Sequence, residues 1–305
     1  MTIFLAMLLD AIIGDPKWLW ARVPHPVVLI GRVITAFEEA FNKGSSAKRA
    51  GLFLVVLLIL SSIVLGLLPR LVSWGWVFEI GLGAILIAQR SLATHLQSVA
   101  SGLETSIEKG RAEVAMIVGR DTAEMDTAQV TRAAIESAAE NFSDGVAAPI
   151  FWFAIGGLPG ILTYKAINTA DSMIGYLNEK YRDFGWAAAR FDDLLNWIPA
   201  RLTGFVMAAL TGNIFNWSDI ATEARQHRSP NAGWPEAAAA RALNVALSGP
   251  RSYEGKIEDH PFVFPAGRRD IGPADIRAVI RLTWQLWSVI LICAAISAGA
   301  FMVFG

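Results

Sequence analysis

Four polar runs carry residue types that do chemistry at helical spacing. In Arg132-Ala-Ala-Ile-Glu136-Ser-Ala-Ala-Glu140-Asn141-Phe-Ser-Asp144-Gly145, Arg132, Glu136 and Glu140 recur every four residues and share one helical face. Such a carboxylate pair can hold Mg²⁺ or act as a base, while Arg132 can hold a phosphate or a carboxylate. The competing reading is a solvated, salt-bridged face. Alanines at the intervening positions and the apolar run that follows favour a site.

The second run, Tyr164-Lys165-Ala-Ile-Asn168-Thr169-Ala-Asp171-Ser172, sets Lys165, Asn168 and Asp171 three apart beside apolar sequence. An aspartate there is costly to bury unpaired, and either Lys165 or a bound cation offsets it. The third, Arg190-Phe-Asp192-Asp193-Leu-Leu-Asn196-Trp-Ile-Pro-Ala-Arg201, has adjacent carboxylates whose repulsion a divalent cation would relieve. A plain helix start is the alternative, but Leu194, Leu195, Trp197 and Ile198 suit an exposed surface helix poorly. Ser229 to Glu236, reading SPNAGWPE, adds Asn231, Trp234 and Glu236 and by itself reads as a loop. Gly14-Asp15-Pro16 and His25-Pro26 are weak signals taken singly. There is no G-x-x-x-x-G-K-[ST], so an ATP site here must be unconventional.

The elements that must position these runs are helices, several of them in a membrane. Of 305 residues 54% are hydrophobic and 17% charged, and the mean hydropathy is +0.43. Twenty uncharged residues separate Arg49 from Arg70, enough to cross a hydrocarbon core of about 30 Å. Residues 52–69, 71–89 and 283–305 are the expected spans. Two further segments, 146–164 and 202–218, are interrupted by Gly156, Gly157, Pro159 and Gly160 or by Asn213 and Asn216 and read as paired or re-entrant. The run Thr2 to Ile13 is too short to span. Lys43, Lys48, Arg49 and Arg90 flank the first two spans and place the polar runs on the cytoplasmic side. The N-terminus lacks a basic signal region, so the chain is expected to be uncleaved.

Leu92, Leu96, Val99, Leu103 and Ile107 predict one helix from Arg90 to Val118. Asp121, Thr122 and Glu124 predict the cap of the next, Ala123 to Asn141. The expected architecture is thus all-α: a single polytopic membrane domain over residues 1–305, with about 3 to 5 membrane-associated segments and a cytoplasm-facing helical polar portion. A net charge of −1 offers no basic surface for nucleic acid. The lone Cys293 and four scattered histidines provide no thiol or imidazole metal cluster.

These runs together resemble the CbiB/CobD family of cobalamin biosynthesis, the adenosylcobinamide-phosphate synthases. The resemblance rests on GDP at Gly14 to Pro16, HP at His25 to Pro26, GRDT at Gly119 to Thr122, and the run from Arg132 to Pro149. It continues through YKAINTADSMIG from Tyr164, FGWAAARFDDLLNWIPARLTG from Phe184, and SPNAGWPEA from Ser229. It implies a bacterial inner-membrane ligase, ATP- and Mg²⁺-dependent, with its active site facing the cytoplasm. That ligase joins adenosylcobyric acid, its corrinoid substrate, to (R)-1-amino-2-propanol or its O-phosphate through an amide, beside other membrane proteins of the pathway.

A carboxylate is a poor acyl donor and must first be activated, most simply as an acyl phosphate, which calls for cations and positioned carboxylates. On that reading Asp171, Asp192, Asp193 and Asp144 are the metal ligands. Lys165, Arg190 and Arg201 neutralise phosphate, with Lys165 counted among the catalytic groups beside Glu136 and Glu140, one of which deprotonates the incoming ammonium. Arg132, Asn141, Asn168, Asn196, Asn231, Glu236 and His25 line the substrate, and Trp234 packs on an apolar edge of the corrin.

Two other classes compete. Asn168-x-x-Asp171 and Asp192-Asp193-x-x-Asn196 also suit a Mg²⁺-dependent intramembrane transferase acting on a prenyl diphosphate. Glu79, Asn213 and Asn216 in apolar stretches suit a non-enzymatic transporter. Against the first stand the few spans and the long recognisable runs; against the second, the carboxylates cluster outside the spans and no inverted repeat is visible.

Overall fold

The computed structural model describes residues 1–253 and 255–304, with side chains for all of these except Lys17, Tyr253, Ile257 and 301–304. Along the chain run α1 (Thr2–Ile13), α2 (Lys17–Trp20), α3 (Pro26–Phe41), α4 (Ala47–Leu67), α5 (Gly75–Leu86), α6 (Gln89–Thr105) and α7 (Ile107–Ala115). Then come α8 (Thr127–Phe142), a π turn (Ser143–Ala147), α9 (Ala148–Ile174), α10 (Trp186–Leu210), α11 (Trp217–Ala224) and α12 (Gly233–Leu243). Strands β1 (Leu247–Ser248), β2 (Arg251–Tyr253), β3 (Lys256–Glu258) and β4 (Phe262–Val263) precede the last helix, α13 (Pro273–Phe304). The fold is that of an all-α polytopic membrane protein, decorated by two short antiparallel pairs, β1 with β4 and β2 with β3.

Among the described residues, four helical segments are long and apolar enough to cross a membrane: Gly44–Leu71, Gly75–Thr105, Thr127–Ile174 and Pro273–Ala300. They contain the cores of the expected spans 52–69, 71–89 and 283–305; Gly305 lies outside the described residues. Segment 146–164 closes the π turn and then runs along α9, which is helical on both sides of one break at Gly157 (φ 63°, ψ −151°). That backbone region is open to glycine almost alone, and Pro159 follows, so the break is written in the residues. Segment 202–218 is not a single element. α10 stops at Leu210, and Asn213 and Asn216 shape the turn before α11 through hydrogen bonds to Thr211 and to each other.

The chain divides into two compact units. The first comprises residues 1–88, 148–197 and Ala294 onward. Within it α4 buries Leu54, Val55, Leu58, Ser62 and Gly66, a seam at three- and four-residue spacing, against α9, while Gly51 packs on the backbone of Phe184. Small residues are required on that seam: a methyl group at Gly66 would sit 2.5 Å from the Pro159 nitrogen. α5 packs on both α1 and α9, and Glu79, the one charge in α5, faces Arg70 at 3.8 Å.

The second unit comprises 89–147 and 198–293. The single helix expected from Arg90 to Val118 is in fact a helical hairpin. Ser106 leaves the helix (φ −165°) and caps α7 by accepting from the Lys109 N–H, so apolar spacing on either side of it belongs to two helices. α8 likewise starts at Thr127, because Asp126 and Gln129 close a reciprocal capping box. Asp121, expected as the cap, is instead held by Ser252 Oγ at 2.7 Å and the Gly255 N–H at 2.8 Å.

Candidate functional site: two buried polar networks

In the first unit, α9 and the N-terminal part of α10 face one another through side-chain amides. Trp152 Nε1 donates to the Leu195 carbonyl at 3.0 Å and ties the two helices together. Below it, Tyr164 donates to Asn196 Oδ1 at 2.9 Å, Asn196 Nδ2 donates to Asp192 Oδ2 at 2.9 Å, and Asn168 Nδ2 donates to Asp192 Oδ1 at 3.2 Å. Asn196 is 1% exposed and Asp192 9%. Each carboxylate oxygen of Asp192 thus receives one neutral amide N–H.

The runs starting at Tyr164 and Arg190 are therefore brought together, at Tyr164, Asn168, Asp192 and Asn196. Asp193 instead points towards Arg190, 3.8 Å away on the same helix face. Asp171 folds over the end of α9, where Gly175 leaves the room it needs: a methyl there would lie 2.0 Å from Asp171 Oδ1. Among the described residues no three carboxylate, imidazole or thiol groups converge into a ready metal cage, so Asp144, Asp171, Asp192 and Asp193 are not gathered into one.

In the second unit the centre is Glu136 on α8. Its Oε2 accepts from Arg120 Nη2 at 2.7 Å and lies 3.2 Å from Arg251 Nη2, while Oε1 accepts the Ser248 N–H at 2.6 Å. Arg251 Nη2 also donates to Ser248 Oγ at 2.9 Å and stands 3.6 Å from Glu236 Oε1, an oxygen that is buried with no hydrogen bond. The other oxygen of Glu236 faces His227 Nε2 at 3.5 Å. His227 Nδ1 accepts the Ser229 N–H at 3.0 Å, which leaves the ring proton on Nε2, towards Glu236.

Burial, reinforced by Arg251, holds His227 down to about 4, and burial with the Glu136 charge alongside pushes Glu236 up to about 8. At neutral pH both are uncharged. Arg120 and Arg251 then face Glu136, with Glu140 and Arg228 close enough to be felt electrostatically, and guanidiniums in such a setting suit an anionic group such as a phosphate or carboxylate. A cavity of about 30 Å³, room for one or two waters, opens beside them among His227, Arg228, Ser248 and Arg251.

The expected Arg132–Glu136–Glu140 face is divided. Arg132 Nε donates to the Ala246 carbonyl at 3.2 Å and its guanidinium lies over the Phe262 ring, so the cations beside Glu136 are Arg120 and Arg251. Glu140 is exposed at the end of α8, and Asn141 donates back to Ser137. SPNAGWPE, expected as a plain loop, leads into α12: Ser229 Oγ accepts the N–H groups of Asn231 and Ala232. Asn231 Oδ1 in turn accepts from Arg201, which stacks over Trp234 at 4.8 Å. The two weak N-terminal signals also meet, for His25 Nε2 is 3.7 Å from Asp15, and burial lowers its pKa.

Arg120, His227, Ser248 and Arg251 escaped the sequence reading. Arg120 stood in the quoted GRDT run; Arg251, directly after Gly249-Pro250, looked like part of a loop.

A multi-pass helical membrane protein with two buried polar networks, each built from residues distant in sequence, is what these observations define. The chain belongs to the CobD/Cbib protein family, whose profile matches residues 3–283. It is 48% identical to the cobalamin biosynthesis protein CobD of Brucella suis over 98% of this chain and 97% of that one. The CobD proteins of Sinorhizobium fredii (43%, covering 99% and 98%) and Rhodobacter capsulatus (44%, covering 92% and 96%) are similar over the same extent. No solved structure matches.

Proposed function

We propose that this protein is the ligase that condenses adenosylcobyric acid with (R)-1-amino-2-propanol or its O-phosphate at the expense of ATP, at the cytoplasmic face of a bacterial inner membrane. The observation that carries the proposal is the family match from residue 3 to 283, which takes in every residue of both networks. A free carboxylate and an ammonium do not condense unaided at neutral pH. ATP supplies the phosphoryl group that activates the acid, and Mg²⁺ neutralises its charge.

The donor set fits Mg²⁺ of that kind. This ion keeps several waters and is held by one or two carboxylates plus substrate phosphates, not by an all-protein cage. Asp192, with the Asn168 and Asn196 amides setting its orientation, would hold it. Arg120 and Arg251 hold an anionic group of the substrates. Glu140, near the end of α8, would accept the ammonium proton, since Glu136 is committed to its arginines.

The test is mass spectrometry on detergent-purified protein incubated with adenosylcobyric acid, ATP, Mg²⁺ and each acceptor in parallel. Condensed corrinoid with stoichiometric loss of ATP is expected, and the preferred acceptor identifies the substrate. Folded, corrinoid-binding protein that yields no product with either acceptor would overturn the proposal.

A further inference from the structure

α10 carries two faces of opposite character. Between Leu194 and Leu210 every exposed position is apolar: Leu194, Trp197, Ile198, Leu202, Phe205 and Leu210, with the small Ala209 between the last two. Positions 194, 198, 202, 205 and 209 repeat at four, four, three and four residues, one seam along the helix. The reverse face buries polar groups, with Asn196 1% and Thr203 4% exposed. Arg201, part-exposed, has its guanidinium turned to Asn231 and the Pro230 carbonyl. Arg190 lies beyond one end of the stripe and Asn213 beyond the other.

We propose that this stripe is covered by lipid acyl chains, so that α10 is a membrane-embedded helix with Asn196 and Thr203 on its reverse face at membrane depth and Asp192 at the membrane boundary just before the stripe. Two observations select lipid as the occupant. Seventeen residues of helix extend about 25 Å, close to the hydrocarbon thickness. Moreover, α4, the most apolar of the four spans, shows water or lipid the same surface: Leu60 at 57% and Val64 at 59%, against 47% for both Leu202 and Phe205. Hydropathy alone misses α10 because Arg190, Asp192, Asp193, Asn196 and Arg201 depress its average; of these Arg201 falls on the stripe itself, three residues after Ile198 and four before Phe205, and its guanidinium turns aside to Asn231 and the Pro230 carbonyl. A folded protein in water does not keep an uninterrupted apolar stripe of this length uncovered.

Nitroxide labels on single cysteines, introduced in a Cys293→Ser background at Leu194, Ile198, Leu202 and Phe205, test this in proteoliposomes of phosphatidylethanolamine and phosphatidylglycerol. Labels at Leu60 and Val64 on α4 serve as the lipid reference, and a label at the exposed Ser218 as the aqueous one. Power saturation should show all four α10 labels relaxed several-fold more by oxygen than by a water-soluble nickel chelate, like the α4 labels. Relaxation by nickel as strong as at Ser218 would overturn the proposal. Exclusion of both agents would overturn it too, because it places a second protein surface on the stripe. A label that prevents folding is replaced by one at Ala209, the next exposed position on the same seam.

Discussion

The two buried networks hold an acidic group by opposite means. Asp192 is held by neutral amides from Asn168 and Asn196, Glu136 by the guanidiniums of Arg120 and Arg251 and a backbone N–H. The amides of Asn168 and Asn196 orient Asp192, the carboxylate proposed to hold a cation. Guanidiniums compensate Glu136 and are the groups that suit a second anion. The same residue class thus marks a cation-seeking place in one unit and an anion-seeking place in the other, and only the partners show which is which.

The comparison predicts a split between stability and turnover. Glu136→Ala leaves Arg120 and Arg251 buried without their shared counter-charge and should lower stability by about 3–5 kcal/mol, read as a large fall in unfolding midpoint in detergent. A variant that unfolds like the parent would show that Glu136 is not what compensates these arginines. Asp192→Asn should behave in the reverse way: turnover lost, with about 1–3 kcal/mol of stability given up because one amide donor now meets another. Retained turnover in that variant removes Asp192 from the cation site.

The pH response sharpens the contrast further, because only the second network holds neutral acid and base together. Glu236 rises from 4.5 to about 8, so its contribution is complete at low pH and is lost as pH climbs towards 8. His227 drops from 6.5 to about 4, so its contribution is present above 6.5 and lost on acidification. The two oppose one another between 4.5 and 6.5; above that Glu236 acts alone. Stability should decline by about 2 kcal/mol from pH 6.5 to 8 and the decline should vanish in Glu236→Gln, as followed by unfolding midpoints across that range. A parent midpoint flat over this window contradicts the neutral Glu236. The smallest effect belongs to Asp193→Asn: its partner Arg190 is 68% exposed and 3.8 Å away, and such a pair contributes under about 1 kcal/mol. A large loss of turnover there would instead move the cation site towards Asp193.

Helical spacing made the first network legible before any coordinates: Tyr164, Asn168, Asp192 and Asn196 all stand in polar runs interrupted by alanine or leucine. The second was only half legible. Glu136 was conspicuous, but its cations come from 16 residues upstream and more than 100 downstream, and intrahelical spacing favoured Arg132, which turns to Ala246 instead. Helix limits failed where one short side chain decided them, Ser106 splitting α6 from α7 and Asp126 outcompeting Asp121 as a cap. The strand pairs, two or three residues long, bury too little periodic sequence to be read.

The account's central claim, an ATP-driven activation of a carboxylate at this site, is tested most directly by isotope transfer. Adenosylcobyric acid carrying ¹⁸O in its free carboxylate is turned over once with ATP and the preferred acceptor, and the released phosphate is analysed by mass spectrometry. One ¹⁸O in inorganic phosphate, matched to the amide formed, is the predicted result. Product formed with no label in any phosphate species would contradict it.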